Sequence, residues 1–449
     1  MQLPKAFSTR MERQLGAEAS AFFRAYQEPP LRGLRLNPIK YTKAQLAASL
    51  PFPLKPAPYS PWTFYAPADW KAGQEPLHHA GAFYMQEPSA AAAVTALGPQ
   101  PGERVLDLCA APGGKSTQIA AALAGEGLLW SNEVVHSRAT VLLSNIERLG
   151  VRNAVVSSCR PEVLCQALAG FFDRVLVDAP CSGEGMFRRD EQAVREWSPA
   201  HVESCAVRQQ AILESACVAL RPGGVLAYST CTFSEAENEG VVTAFLQRHR
   251  DFTLVDCGLQ AGHPALGGLA RRIYPMDGGE GHFVAILRRA GETTACLAAS
   301  DAPPSQEAAQ LRDALYTSPI SGVPARVGDK LYLLPEGLPA LSGLGVLRAG
   351  VLLGTVKQSR GRGGRAGAVR YEPAHAAFLA AKPKQLRQCL CLDHGDPRVH
   401  AFLRGEELEA PESLRGFCAV AVAGAVMGFG KCSGGRLKNH YPKGLRVTW

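Results

Sequence analysis

The stretch Val105-Leu-Asp107-Leu-Cys109-Ala-Ala-Pro112-Gly113-Gly114-Lys115-Ser-Thr-Gln118 constrains the fold more than any other. Apolar residues run into a turn holding a proline and two glycines, and helix-forming residues follow at once. A strand that turns so sharply into a helix belongs to an open α/β sheet. There the turn lets a ligand approach the backbone and meet a helix N-terminus. The same rhythm continues downstream. β-like runs at 104–109, 127–132, 153–158, 173–179, 223–230 and 282–288 alternate with helical patterns at 115–123, 136–149 and 199–220. This predicts an α/β domain over 85–290 with a mainly parallel sheet covered on both faces.

The turn itself narrows the ligand. A Walker loop needs glycine where Cys109 stands, and no GxGxxG follows the strand. An S-adenosylmethionine turn remains, supported by Glu133 at the end of the next strand, where a carboxylate can accept hydrogen bonds from both ribose hydroxyls. By itself the motif points to a nucleotide-like cofactor.

Two further motifs place cysteines at strand ends. In Leu176-Val-Asp178-Ala-Pro180-Cys181-Ser-Gly183-Glu-Gly185 an acidic residue closes a strand and Pro-Cys follows. In Tyr228-Ser-Thr230-Cys231-Thr-Phe-Ser234-Glu-Ala-Glu237-Asn238-Glu239 a cysteine closes another. Ser234 and Glu237 there form a capping-box signature for the next helix. Two cysteines at the carboxyl edge of one sheet, beside a cofactor turn, are hard to explain as core filler. Thirteen cysteines are present in all, with no CxxC pair, and Cys389 and Cys391 lie too close for a zinc-finger spacing. The remainder read as reduced, buried thiols, and no metal site is expected.

The rest of the 449-residue chain divides by composition. Phe7, Met11, Leu15, Ala19, Phe22, Phe23 and Tyr26 recur at helical spacing. Prolines between 51 and 76 then suggest turns and extended linker. Residues 1–84 thus read as an amphipathic helix followed by a turn-rich linker. An Ala/Ser/Pro/Gln-rich stretch, 291–311, reads as a second linker, followed by a glycine-rich, β-rich segment over 312–385 and a last domain over 386–449. Residues 313–449 carry 19 Lys and Arg against 10 Asp and Glu, more than the whole net charge of +8. One cluster spans Lys357 to Arg365; the other runs Lys431, Arg436, Lys438, His440, Lys443, Arg446, with Tyr441 inside it. Such cations suit a phosphate backbone, with an aromatic ring on which a base can stack. The most apolar run, 417–430, is 14 residues and glycine-broken, whereas a membrane-spanning helix needs ~20. The N-terminus has no apolar signal-peptide core. No membrane association and a cytoplasmic location are expected.

Together these motifs resemble the RNA cytosine-5 methyltransferases of the Nol/Nop/Sun type, and among them the bacterial RsmF branch that acts on 16S ribosomal RNA. The resemblance is carried by 106–116, Asp178-Ala-Pro-Cys-Ser-Gly-Glu-Gly-Met-Phe187 and Tyr228-Ser-Thr-Cys-Thr232. Arg35-Leu-Asn-Pro-Ile-Lys40, Tyr84-Met-Gln-Glu-Pro-Ser89 and Gly279-Glu-Gly-His-Phe283 add smaller matches. Gly428-Phe-Gly-Lys431 and 437–446 are similar to that branch's PUA-like RNA-binding module.

The resemblance implies a Rossmann-like class I methyltransferase sheet, flanked by an N-terminal RNA-binding α+β domain and a β-rich PUA-like C-terminal domain. It implies S-adenosyl-L-methionine held by Cys109, Ala110, Ala111, Pro112, Gly113, Gly114, Lys115 and Glu133. Cys231 would be the nucleophile and Cys181 would help release product. Asp178 would line the pocket for cofactor and base, either protonated or sharing a proton with the ring. Lys115 would contact base or cofactor. The partner implied is 16S ribosomal RNA or the small ribosomal subunit, with the protein acting as a monomer. The same chemistry on transfer RNA and a non-catalytic RNA-binding assembly factor are the alternatives. One position departs from the family. Many relatives have an Asp after the third strand that meets the adenine amino group; Arg160 stands there and cannot accept a hydrogen bond.

Overall fold

Strands buried on both faces need apolar side chains at successive positions, and the central runs of this chain supply them. The computed structural model describes residues 3–292, 303–318, 320–360 and 366–448. Its central sheet is framed by β1 (Arg104–Asp107), β2 (Leu128–Asn132), β3 (Ala154–Ser157), β4 (Phe172–Asp178), β5 (Leu220–Thr230) and β6 (His282–Arg289). β1 pairs in parallel with β2 and with β4, β2 with β3, and β4 with β5. β6 joins β5 antiparallel. The order 3-2-1-4-5-6 reverses between β1 and β4, so the carboxyl ends of those two strands flank a crevice. Alternate residues feed two cores: Leu106, Trp130, Val155 and Val175 on one face, Val105, Leu129, Val156 and Leu176 on the other.

The predicted helices form as α1 (Gly114–Ala122), α2 (His136–Arg148) and α4 (Pro199–Ala219). Periodicity missed α3 (Pro161–Ala167), whose 7 residues are too few to show a period. Its signal was Pro161 at the first helical position. The capping box is a correction. α5 (Glu239–Arg248) starts after Asn238, with no side-chain cap. Glu237 instead faces the loop after β4 and the helix α4, where Ser182 and Gln209, respectively, donate to its buried carboxylate.

The Pro-rich stretch is not a linker throughout. It contributes Lys55–Pro56 and Thr63–Ala66 to a four-stranded sheet with Arg32–Leu36 and Phe83–Gln86. Pro56 is tolerated because its strand lies at the sheet's edge. Likewise a helix, Gln306–Leu315, begins within the second expected linker, capped by the Ser305 hydroxyl, which accepts from the Ala308 amide. Residues 293–302 of that stretch lie outside the described residues.

The segment after this helix builds an antiparallel sheet from Val323–Val327, Lys330–Leu334, Val351–Arg360 and Ala366–Pro373. It also lends Val346–Ala349 to β3 as an antiparallel neighbour. That pairing covers an edge of the central sheet that would otherwise expose unpaired amides and carbonyls. Arg348 reinforces it with an ion pair to Glu147 of α2 at 2.5 Å. The last sheet has five strands and packs on the N-terminal one, sharing a core of Leu34, Phe64, Phe83, Leu390, Phe402 and Met427. The two ends of the chain therefore meet beside the central sheet. At their junction the buried Lys40 ammonium donates to the carbonyls of Ala80 at 2.8 Å, Arg148 at 3.0 Å and Val426 at 3.4 Å.

Candidate active site

β1 delivers Asp107 to the crevice, and the chain then turns through 108–113 into α1. Gly113 sits at φ 110°, and a Cβ there would meet Leu142 Cδ1 at 3.1 Å. It shapes the turn and seats it on α2. The turn is gripped by its carbonyls: Asn145 donates to Pro112 O at 2.9 Å and Arg138 to Ala111 O at 3.2 Å. Arg35, buried in the N-terminal sheet, donates to Gly114 O, to Thr117 and to Gln86. Burial pulls its guanidinium down to about 9.

A cleft of about 840 Å³ opens at the strand ends, lined by Cys109, Glu133, Glu162, Asp178, Cys181 and Cys231 among others. A recess of about 190 Å³ adjoins it, where Asp107, Ala110, Pro112, Gly114 and Lys115 meet; Cys109, Ala111 and Asp178 face both. Glu133 is buried and accepts the Val135 amide at 3.0 Å. Asp107 Oδ2 accepts from Ser116 at 2.7 Å, while its buried Oδ1 has no partner. Burial, aided by the charges of Asp178 and Glu133, pushes this carboxyl up to about 7.

Cys181 and Cys231 come together, with their sulfur atoms 3.3 Å apart. The hydrogen bond to Cys231, then burial, pushes the Cys181 thiol well up. Each cysteine's loop is tied down by a buried carboxylate from the other's. Glu184, after Cys181, accepts the Phe233 amide at 3.0 Å and Trp197 Nε1 at 2.8 Å. Glu237, after Cys231, accepts the Ser182 amide at 2.9 Å and Gly185 donates to Cys231 O at 2.8 Å.

Asp178 holds Lys115. The Nζ–Oδ2 distance is 2.7 Å, and Ser229 donates to Oδ1 at 2.7 Å. Burial pushes the Asp178 carboxyl up, but Lys115 and His282 outweigh it and hold it below the ordinary carboxylate range. Burial likewise pulls Lys115 down, and Asp178 more than reverses that. Of the two states expected for Asp178, the ion pair with Lys115 favours the ionised one. Asp107, Glu184, Glu237 and His282 were not among the expected site residues. Asp107 was legible as the last residue of the strand before the turn; Glu184, Glu237 and His282 stand inside the sequence motifs, but nothing local shows the contacts that bring them to the site.

Arg160 is exposed and pairs with Glu162 at 3.3 Å. Glu162, two residues on, lines the cleft in its place. The C-terminal basic face also differs from expectation. Tyr441 is buried against His375 and Phe402, not free for a base to stack on. Arg436 is paired with Glu407 at 2.7 Å, and Lys431 lies over the Phe417 ring. Of the first cluster, 361–365 lie outside the described residues. Among the described residues, no helix is long and apolar enough to cross a membrane.

Known families match nearly the whole chain. The family described as 16S rRNA methyltransferase RsmB/F matches residues 94–288, and the N-terminal domain of 16S rRNA methyltransferase RsmF matches 3–88. The RsmF first C-terminal domain matches 308–362 and the RsmF PUA domain 389–447. The ribosomal RNA small subunit methyltransferase F of Vibrio vulnificus is 34% identical, over 94% of this chain and 93% of its own length. That of Klebsiella pneumoniae is 33% identical over 98% and 96%. A solved methyltransferase homologue from Pyrococcus horikoshii, 30% identical, covers 64% of this chain and 95% of its own, with a TM-score of 0.57. The chain has the Rossmann-like fold of the S-adenosylmethionine-dependent methyltransferases and belongs to the RsmF family of rRNA methyltransferases.

Proposed function

We propose that this enzyme methylates carbon 5 of a cytosine in 16S ribosomal RNA of the small subunit, in the cytoplasm, through a covalent bond between Cys231 and carbon 6. The observation that carries the reading is the pair of sulfur atoms 3.3 Å apart at the ends of adjacent strands, inside a cleft that also holds Glu133. The reaction as written uses one copy of the chain and no metal.

The residues present suit S-adenosylmethionine. The orphaned Asp107 Oδ1 offers a carboxylate oxygen to an ammonium group. Glu133 offers a carboxylate to ribose hydroxyls, and the turn from Cys109 through Gly114 walls the recess between them. Glu162 supplies a hydrogen-bond acceptor for the adenine amino group where Arg160 cannot. Bound, the cofactor supplies an electrophilic methyl group.

Carbon 5 of cytosine is a poor nucleophile. A thiolate from Cys231 adding at carbon 6 makes it enamine-like and divides one hard step into two. The carboxylate of Asp178 accepts a hydrogen bond from the exocyclic amino group of cytosine. Uracil presents a carbonyl there and would be repelled. Cys181, kept as a thiol, sits in contact with the sulfur that must leave and assists its departure. The target base has to leave its stack to reach this depth. The basic, PUA-like C-terminal end grips RNA phosphates, so binding should weaken steeply with salt.

The experiment is methyl transfer from labelled cofactor to small-subunit ribosomal RNA, with wild type beside Cys231→Ala and digestion to nucleosides. Wild type should yield 5-methylcytidine and the variant none. A methylated nucleoside other than 5-methylcytidine, or equal yields from both proteins, would reject the reading.

A further inference from the structure

β6 begins with a buried histidine that the mechanism above does not use. His282 Nε2 lies 3.3 Å from Lys115 Nζ, the same ammonium that pairs with Asp178. On the other edge of its ring, Nδ1 lies 3.3 Å from Ser89 Oγ and 3.4 Å from Glu87 Oε2. Both come from the turn after Phe83–Gln86.

The hydrogen bonds fix the ring's tautomer. The Ser89 hydroxyl gives its proton to Glu87 Oε1 at 2.6 Å, so its oxygen is left to accept. Both neighbours of Nδ1 are therefore acceptors, and Nδ1 must carry the proton. Nε2 then presents a lone pair to the Lys115 ammonium, which donates. Glu87 is itself secured: the amides of Ser89, Ala90 and Glu280 donate to it at 2.7–2.8 Å. Burial pushes Glu87 up, but His282 and Ser89 outweigh this and bring it to about 2. The other charged groups around the ring are accounted for. Asp178 acts on both Lys115 and the ring, Asp107 and Cys231 face Lys115, and Glu280 Oε1 is engaged by Arg188 and the Leu31 amide.

We infer that His282 is the net proton acceptor of the methyl transfer, working through Lys115. The inference rests on the cytosine reading above. Once carbon 5 carries the new methyl group, its C–H bond breaks. The electron pair forms the 5,6 double bond, and the carbon 6–sulfur bond breaks to return a thiolate to Cys231. Lys115 Nζ first gives a proton to the lone pair of His282 Nε2, and the neutral amine so formed then takes the carbon 5 proton. The imidazolium is held against the Glu87 carboxylate, the arrangement by which a buried carboxylate supports a histidine base. It returns its proton through Lys115 to water after product leaves. His282 is thus a positioning residue, and Lys115 is the group that touches substrate.

The test uses the full-length enzyme and RNA carrying 5-deuterated or 5-protiated cytosine. His282→Gln keeps a polar group near the Nε2 position but cannot take a proton. Single-turnover release of 5-methylcytidine should slow about 100-fold, the lower range for a lost acid–base group, with KM within about twofold. Methylated RNA–enzyme adduct should accumulate on denaturing gels, and a deuterium isotope effect on its breakdown should emerge. Wild-type rates, no adduct and a wild-type isotope effect in His282→Gln would overturn the inference. A second measurement needs no variant activity: nitrogen NMR of ¹⁵N-histidine-labelled wild type should show the His282 ring with its proton on Nδ1, and a ring protonated on Nε2 would overturn it. Failure of wild type to make 5-methylcytidine is a separate result, and it rejects the parent reading.

Discussion

Two lysines of this chain, Lys115 partly buried and Lys40 buried, stand in opposite company. Lys115, in the cleft, faces the carboxylate of Asp178 at 2.7 Å and has its pKa raised despite burial. Lys40, at the junction of the N-terminal, central and C-terminal parts, donates among the described residues to three carbonyl oxygens. Burial, then repulsion from Arg148, pulls it down to about 7. One site retains a charge because a partner charge stands beside it; the other ties three elements together with dipoles and carries the desolvation of its ammonium uncompensated. Buried ionisable groups thus divide by their partners. A cluster of opposite charges open to a cleft equips chemistry, whereas a lone cation among carbonyls is a fastener.

The contrast is broken most severely at Lys115. Lys115→Met leaves the half-buried Asp178 carboxylate without its cation and removes the donor to His282. Methyl transfer should fall by about 10²–10⁴, and stability should drop modestly because one partner of a partly buried pair has gone. Rates within tenfold of wild type in a folded variant would show that the pair is structural only. Cys181→Ala comes next. Loss of the assisting thiol should leave enzyme attached to RNA as a slow-migrating band on a denaturing gel, and a variant that turns over without such a band contradicts the assignment. The Asp107 carboxyl sharpens the comparison, being a buried acid that awaits a cation. With its pKa raised to about 7, it is protonated in acid and cannot pair with an ammonium. Cofactor affinity in wild type should therefore weaken as pH falls below about 7. Asp107→Asn should bind about tenfold more weakly, from one lost charged hydrogen bond, with no such dependence; calorimetric titration across pH 5.5–8.5 (about 1.5 units either side of that pKa) distinguishes them.

What could be read in advance follows the same division. The strand–turn–helix, both cysteine motifs and the six central strands were legible because each is a local pattern. Alternation, a glycine pair and a strand end lie within a few residues of one another. Asp178 and Lys115 were legible as site residues, but their pairing across 63 positions was not. Glu237 was misread because a serine three residues before a glutamate is a helix-start signal in isolation. In the fold, donors from Ser182 and Gln209 compete for that carboxylate and win. Tyr441 looked like a stacking surface among cations, yet the neighbouring Phe402 and His375 enclose it. The strand Val346–Ala349 gave no sign that it would leave its own sheet for β3, since its partner is set by the exposed edge it covers and not by its residues.

The smallest effect is expected at Lys40, and it concerns stability alone. In the unfolded chain this amine has the ordinary lysine pKa of about 10.4; in the folded protein burial lowers it to about 7. Between those values the unfolded state binds more protons, so stability attributable to this group rises with pH across that window and is lowest below it. The slope is at most about 1.4 kcal/mol per pH unit. Lys40→Met removes the slope while leaving the carbonyls of Ala80, Arg148 and Val426 without their donor, a cost of about 1–3 kcal/mol that partly offsets relief from the buried charge. Net stability near pH 7 should therefore change little and methyl transfer should stay within about twofold, because no group in the cleft contacts Lys40. Urea melts of both proteins from pH 6.5 to 9.5 (a span chosen around the roughly 7 to 10.4 window) would show curves that diverge as pH rises. Parallel curves would mean that the lysine remains charged throughout, and that its carbonyl cage serves it as well as a carboxylate serves Lys115.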